Sequence, residues 1–459
     1  MIPACHNSTM RPSRAACALA LAAAVLAVAI LPLSAAVRPP KLNYELATLP
    51  NGLTVVLLED HSTPIVHVQV WYHVGSKDER PGRTGFAHLF EHLMFNGSKN
   101  VASGDHSSLI TNVGGMANAY TNDDVTVFWD TVPAEHLPLV LWLEADRMAS
   151  LRIDKPSFER DRKVVKEERR LRIDNQPYGT LSELVYSHAF TVHPYRHRTM
   201  GSMADLDAAS ADDVRDFYRA YYAPDNATVA IVGDFEPKQA MALVTGHFGA
   251  VPRPDRATVR DIPREPEQTE ERRVSLTESW PLPVVVVAYH VPFDGHPDSY
   301  PLQVASKVLS DGQSSRIYRS LVYEKQVAFS AYGGGAFIED PNLFFAVAVV
   351  QAGRSADEAE RALVEELDRL RNEPVTEREL QRVKNQLARD YILGRESNQR
   401  KALQLAHAIV IHKGDASKAD GEFDTFMNTT AGDVQRVARA YFTPQNRTVL
   451  TILPAGAKQ

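Results

Sequence analysis

The chain has 459 residues, of which 44% are hydrophobic and 23% charged, with a formal net charge of −7. That length exceeds one ordinary core, so at least two domains are expected, and the composition is that of a globular protein in water. The charge is spread along the chain without a basic cluster, which excludes nucleic acid as a partner.

Residues 1–36 form a separate segment. Arg11 and Arg14 precede an apolar run from Ala15 to about Leu33, and Ser34-Ala-Ala36 places small residues at −3 and −1. This is the pattern of a secretory signal cleaved after Ala36; Met10 offers a second start. The alternative, an uncleaved anchor, is disfavoured because the run is short for a comfortable span and rich in alanine. Export to the periplasm or the outer medium is expected, with no stable membrane span after cleavage. Both cysteines, Cys5 and Cys17, fall in this segment. The mature chain therefore has no thiol for a disulfide or a metal site.

Gly85-Phe-Ala-His88-Leu-Phe-Glu91-His92-Leu-Met-Phe95 reads as a helix buried nearly all round. At about 100° per residue, His88 and His92 lie roughly 40° apart and Glu91 roughly 60° to the other side. Two imidazoles one turn apart can hold a zinc ion, and the carboxylate between them can act as a base towards water. The bland reading is a core helix with two hydrogen-bonded histidines. Three ionisable groups in so apolar a helix would be costly without a shared partner, and a metal supplies one.

Gly114-Gly-Met-Ala117-Asn118-Ala119-Tyr120-Thr is a glycine-rich turn entering a strand. Small side chains at Ala117 and Ala119 would leave room for an incoming chain, although a paired interior strand would look the same. A strongly helical segment follows at Pro156–Leu171. Phe158, Val164, Val165 and Leu171 are expected to define its apolar face, with Glu168 near the centre and Glu167 roughly 110° off it. Asp161, two turns before Glu168, shares that side. Two acids turned inward point to a buried cation, with Glu168 as third ligand and Asp161 orienting a ligand or the helix.

The chain is written twice. Ala211–Val229 and Ala431–Val449 share Asp213/Asp433, Arg219/Arg439, Tyr221/Tyr441, Pro224/Pro444, Asn226/Asn446 and Thr228/Thr448 at a constant offset of 220, the mark of an internal duplication. Proline-rich, charged residues 252–273 read as a linker between an N-terminal domain at 41–251 and a C-terminal one at 274–459. Strand-like runs (Thr54–Leu58, Ile65–Val74, Val125–Thr131, Thr228–Val232, Val284–Tyr289, Leu343–Val350, Thr448–Leu453) alternate with amphipathic helices. The expected fold class is α+β: two homologous domains, each an antiparallel-rich mixed sheet with helices packed on one face. In the second copy, Gln303, Ser306 and Lys307 stand opposite His88, Glu91 and His92, and Lys384–Arg389 holds no carboxylate to match Glu168. One zinc ion (Zn2+) per chain, in the first half, is expected.

His88-x-x-Glu91-His92 followed by a helical carboxylate resembles the inverted-zincin metallopeptidases of the pitrilysin and insulinase type, related to mitochondrial processing peptidase. The resemblance covers nearly the whole mature chain. Leu49-Pro-Asn-Gly52-Leu-Thr-Val-Val resembles the family's opening strand, and Val74-Gly-Ser76 its loop before the zinc helix. Val164-Val-Lys-Glu-Glu168-Arg-Arg and Asp174-Asn-Gln-Pro-Tyr-Gly179 resemble the bacterial secreted branch. It implies that His88, His92 and Glu168 bind zinc, although manganese or cobalt could fill the same ligands. Glu91 would be the general base, and Asp161 stands where relatives usually have a second glutamate. It also implies that the strand at Ala117, Asn118, Ala119 and Tyr120 lies at a sheet edge and pairs with the backbone of a peptide substrate.

The family pattern is broken at one place. Many relatives carry, in the second domain, an Arg and seven residues later a Tyr that stabilise the oxyanion. Leu321-Val322-Tyr-Glu-Lys-Gln-Val-Ala-Phe329 aligns with that stretch, so Val322 and Phe329 replace the donors; Tyr323 or Tyr332 are possible substitutes. Some bacterial relatives divide the task between a zinc-bearing chain and a paralogous chain with the Arg/Tyr pair. The expectation is therefore a secreted zinc endopeptidase acting on short or unfolded peptides inside a closed chamber. It would be a heterodimer with such a paralogue, otherwise a homodimer. The alternative is a non-catalytic assembly or processing subunit that keeps the fold.

Overall fold

In the computed structural model of the chain, residues 38–253 and 260–456 are described. The expected signal segment, with Cys5 and Cys17, lies outside the described residues. Among those residues no helix is long and apolar enough to cross a membrane.

The first half contributes β1 (Glu45–Thr48), β2 (Thr54–Glu59), β3 (Ile65–Tyr72), β4 (Met116–Thr121), β5 (Thr126–Pro133) and β6 (Ala227–Gly233). Its helices are α1 (Phe86–Leu93), α2 (Asp105–Asn112), α3 (Leu137–Ser150), α4 (Lys155–Arg169), α5 (Leu181–Ala189), α6 (Met203–Ala208), α7 (Ala211–Tyr221) and α8 (Pro237–Phe248). The second half contributes β7 (Arg272–Glu278), β8 (Val284–Val291), β9 (Ala328–Gly335), β10 (Asn342–Val350) and β11 (Arg447–Pro454). Its helices are α9 (Ser299–Ser310), α10 (Ala356–Asn372), α11 (Glu377–Leu393), α12 (Asn398–Ile411), α13 (Lys418–Asn428) and α14 (Ala431–Tyr441).

The duplication is visible in the sheets. The first runs β1-β2-β6-β3-β5-β4 and the second β7-β11-β8-β10-β9. With β1 set aside, the two orders are the same when β2 to β6 are matched with β7 to β11. Each sheet has one parallel pair, β2 with β6 and β7 with β11, and is otherwise antiparallel. Thr228 on β6 and Thr448 on β11 open the matching parallel ladders, opposite Thr54 and Arg272. In each half the last strand of that order, β4 or β9, forms one of the two sheet edges.

Each half's own helices cover one face of its sheet. Val55, Leu57, Val68, Val70 and Phe128 meet Leu89, Phe90, Leu141 and Phe158 in the first core. Val285, Val287, Phe344 and Ala346 meet Leu302, Leu363 and Val383 in the second. The other face of each sheet receives a helix from the opposite half. Ala402, Leu405, Ala406 and Ile409 of α12 lie on Val56, Leu58, Trp71 and Val232 of the first sheet. Val185, Tyr186 and Ala189 of α5 lie on Val284, Val286, Ala288 and Leu450 of the second. With both faces buried, the strands read as continuous apolar runs rather than as alternation. Leu405 is fully buried, and each such side chain contributes about 1.5–3 kcal/mol through removal from water.

Charge also ties the halves together. Lys77 is 2% exposed, and its Nζ lies 2.9 Å from Asp124 in the first half and 2.7 and 3.0 Å from Glu339 and Asp340 in the second. Between the halves, the chain is anchored where it is described. Arg260 donates to Asp78 (3.1 Å) and Asn226 (2.8 Å), and the Glu265 carboxylate accepts the N–H groups of Thr191, Val192 and His193.

Candidate metal centre

Helix α1 begins where Gly85 adopts a left-handed conformation (φ +90°), open to glycine at no steric cost. A Cβ on the neighbouring Gly201 would lie 2.3 Å from the Gly85 nitrogen, so the loop at Gly201 presses on the helix start through bare backbone. Glu79 completes that start: its carboxylate accepts the N–H groups of Gly85 (2.9 Å) and Ala87 (2.8 Å). A carboxylate there satisfies donors with no partner in the helix and opposes the positive end of its dipole. Burial pushes the Glu79 carboxyl up, against the pull of His197 at 3.0 Å and of these backbone donors.

From this start, Phe86, Leu89, Phe90 and Leu93 enter the core, and His88, Glu91 and His92 are directed towards α4 and β4. On α4 the buried stripe is Phe158, Asp161, Val165 and Arg169. Val164 and Leu171, expected on the apolar face, are 47% and 56% exposed. The reason is geometric: Phe158/Val165 and Val164/Leu171 are two seven-residue rows about 100° apart, and only the first is packed. Glu168 lies between the rows, which leaves it partly covered at the rim of α1.

There the three expected ligands converge. Glu168 Oε2 lies 3.2 Å from His92 Nε2 and 3.7 Å from His88 Nε2, and one ligand atom from each of the three residues lies within 4.8 Å of the others. Tetrahedral zinc with bonds of about 2.0–2.1 Å sets neighbouring ligands about 3.3 Å apart, close to the two separations from Glu168. Glu168 Oε1 is held by Arg172 at 2.7 Å; the widened π-helical turn Arg170–Asp174 after α4 brings that guanidinium back. Burial, followed by the neighbouring His92, pushes the His88 imidazole down to about 4 against the attraction of Glu168, so it is neutral and able to offer a lone pair. Its Nδ1 is buried without a hydrogen-bond partner.

Glu91 stands beside this cluster. Burial pushes its carboxyl up to about 7, against a hydrogen bond that Thr121 Oγ1 donates to Oε2 at 2.6 Å. Thr121 was not singled out in the sequence, although alternation from Ala117 and Ala119 places it on the same face of β4. Strand β4 pairs only with β5 and ends the sheet. Ala117 and Ala119 pack towards the core under α1. Asn118 Oδ1 accepts the N–H of Ala119 at 2.8 Å. Tyr120 turns to the opposite face, edge-on to Trp71 with ring centroids 6.4 Å apart. Asp161 accepts a hydrogen bond from Asn96, just beyond α1, and lies 3.3 Å from Arg160. Neither contact is to a zinc-ligand candidate.

In the second copy Lys307 stands where His92 does in the first. Its Nζ meets Asp311 at 2.8 Å and Asp390 at 2.9 Å. Asp390 lies one residue beyond the stretch expected to match Glu168, and here an ammonium group occupies the space between the helices. Val322 is half-buried against the second core, while Tyr323, Phe329 and Tyr332 are 77%, 67% and 43% exposed. Phe329 falls at the irregularity where β9 slips by one residue against Val349 and Val350 of β10. Among the described residues no hydrogen bond joins these side chains to His88, Glu91, His92 or Glu168.

A two-histidine, one-carboxylate cluster with a buried acid beside it and an edge strand alongside is the layout of a metallopeptidase. Residues 54–202 match the model of the insulinase family (peptidase family M16), and residues 208–387 match that of the peptidase M16 inactive domain. The chain is 31% identical over 415 residues to the zinc protease PqqE of Helicobacter pylori, covering 90% of this chain and 93% of that one. It is 24% identical over 415 residues to the mitochondrial-processing peptidase subunit beta of Lentinula edodes, covering 86% and 87%. The crystal structure of a protease from Helicobacter pylori superposes with a TM-score of 0.86 at 31% identity, covering 90% of this chain and all of that one. The chain belongs to the peptidase M16 family and is a zinc protease, related to the beta subunit of mitochondrial processing peptidase.

Proposed function

We propose that this chain is the zinc-bearing subunit of an exported two-chain endopeptidase that cuts short or unfolded peptides inside a closed chamber. The observation that carries the reading is the convergence of His88, His92 and Glu168 within 4.8 Å, with Glu91 beside them under the free edge of β4. His88, His92 and Glu168 hold one zinc ion. When bound, zinc supplies Lewis acidity at the scissile carbonyl and lowers the pKa of water. The substrate lies along β4 as an added strand, so that extended backbone rather than side-chain identity is selected. Glu91 takes a proton from water and returns it to the leaving amine, and its raised pKa suits both steps near neutrality. Thr121 keeps that carboxylate in place, and Arg172 occupies the outer oxygen of Glu168.

The two-chain arrangement is supported by Val322 and Phe329, neither of which can donate to an oxyanion, and by the exposed aromatic surface of Tyr323, Phe329 and Tyr332. Export is supported by the Arg11–Ala36 pattern. The test uses the purified, zinc-loaded mature chain on a mixed-sequence peptide pool, with and without chelator. Zinc retained without cleavage, and cleavage restored by a paralogous chain carrying the Arg/Tyr pair, is the expected result. Full chelator-sensitive cleavage by the chain alone overturns the two-chain arrangement and makes a homodimer or single chain the working form.

The role given to Thr121 has its own check. Thr121→Val in the active assembly is expected to lower kcat by about ten- to a hundredfold, the value of one hydrogen bond to a charged group, with zinc content unchanged. An unaltered kcat would mean that other groups position Glu91.

A further inference from the structure

The second half carries another convergence of metal-ligating groups, far in sequence from the H-x-x-E-H helix. Asp294 lies in the turn after β8, His407 in the last turns of α12, His412 just past its end and Glu422 on α13. Asp294 Oδ2 is 3.7 Å from the Nε2 atoms of both His407 and His412, and Glu422 Oε1 is 3.6 Å from His412 Nε2. One ligand atom each from Asp294, His407 and His412 lies within 4.8 Å of the others.

We propose that Asp294, His407 and His412, with Glu422 beside His412 as fourth ligand, bind a second divalent transition-metal ion, of the zinc class, with a structural role.

Three observations support the assignment. First, the His412 side chain is 6% exposed, and its Nε2 is buried with no hydrogen-bond partner although carboxylates lie on two sides. A buried nitrogen left unpaired is costly. Separations of 3.6–3.7 Å are too long for a hydrogen bond yet within a few tenths of an ångström of the about 3.3 Å between neighbouring tetrahedral ligands. The ring is also backed closely, since a Cβ on Gly295 would lie 2.7 Å from His412 Nδ1.

Second, the ligands are themselves held. Tyr300 and Tyr391 donate their hydroxyls to Glu422 at 3.2 and 3.3 Å, and the Asp294 N–H is bonded to the Ile338 carbonyl at 2.8 Å. Outer partners of this kind fix the orientation of metal-binding carboxylates.

Third, there is a way in. His407 and His412, with Glu422, line a cavity of about 410 Å³ that also reaches Trp71, Tyr120 and Tyr391. The His407 side chain is 38% accessible, because its ring borders that space.

Two imidazoles and a carboxylate suit zinc, and Glu422, which approaches His412 among the three, would complete a closed tetrahedron by a side-chain shift that leaves no position for substrate. The ion would staple the end of α12, the helix that covers the rear of the first sheet, to the β8–α9 turn and to α13.

The test is metal stoichiometry on the folded mature chain, with zinc alone as the probe. About two zinc ions per wild-type chain are expected after equilibration at about 100 µM free metal. His88→Ala/His92→Ala should retain one, and zinc should raise the Tm of that variant. Adding His412→Ala, or the near-isosteric Asp294→Asn should the first fail to fold, should abolish both the remaining zinc and the rise in Tm. Absence of zinc from His88→Ala/His92→Ala while the wild type holds one overturns this site and leaves the catalytic one standing. One zinc in both proteins would instead remove the catalytic assignment and keep this one.

Discussion

Glu91→Gln is expected to lower kcat by about 10²–10⁴-fold in the active assembly while zinc content stays at the wild-type value. The substitution keeps size and shape, and the new carbonyl oxygen can still accept the Thr121 hydroxyl at the place where Glu91 Oε2 does, 2.6 Å away. What disappears is the ability to take up a proton. Since His88, His92 and Glu168 are untouched, the metal stays and KM changes little, so the loss falls on the chemical step. The range corresponds to about 2.7–5.5 kcal/mol of transition-state stabilisation. Metal analysis beside steady-state kinetics on one preparation separates the outcomes. Undiminished turnover would sink the proposed role of Glu91. A loss of zinc together with activity would make Glu91 part of the metal site.

Lys77→Met should cost about 3–5 kcal/mol of stability, read as a lowered urea midpoint, because it removes the cation from a buried ion cluster and leaves the anions behind. Asp124, Glu339 and Asp340 all face the ammonium within 3.0 Å. Asp124 also accepts the Tyr195 hydroxyl (2.6 Å) and the Glu339 N–H (3.1 Å), so the disturbance spreads through both halves. A loss below about 1 kcal/mol, the range of exposed pairs, would show that water already reaches the cluster.

The same cluster sets a pH dependence. Burial tends to raise Glu339, but the hydrogen bond and charge of His73, followed by Lys77, hold its carboxyl down at about 2; Asp340 is also lowered. A carboxyl whose folded pKa lies below its unfolded value adds stability that is complete above the unfolded value. That stability is lost as pH falls through the folded one. The wild type should therefore lose this contribution progressively from about pH 4.5 to about pH 2. In Lys77→Met the onset should stay near pH 4.5, where the unfolded chain titrates, but the loss should be smaller and complete at higher pH, since the attraction of Lys77 that helps depress these groups is gone. Identical acid-unfolding profiles for the two proteins would contradict this account.

What could be read from the sequence follows the reach of each interaction. His88, Glu91 and His92 were legible because helical geometry alone brings positions three and four apart together. Glu168 was found although its helix was read with a merged register, because it lies between the packed row of Phe158/Val165 and the exposed row of Val164/Leu171. Thr121 needed only the two-residue period of β4. Glu79 acts on the backbone of α1, and no spacing rule announces a side chain that caps a helix several residues ahead. Asp390 escaped by one residue, because the second copy is aligned by offset and its helices have drifted. The Asp294, His407, His412 and Glu422 cluster is assembled from three elements and has no local pattern to betray it. The same holds for α5 and α12, whose partners lie on sheets of the opposite half.

That exchange of helices bears on the order in which the protein can be made. The rear of the first sheet, with Val56, Leu58, Trp71 and Val232, is covered by residues 398–411. A ribosome delivers those residues only after the whole first half and most of the second. Until then the early half has its own core but leaves the rear of its sheet uncovered, so its full stability is expected only when α12 arrives. Under the export proposed above, a chain that threads a pore in extended form would gain from the late arrival of α12.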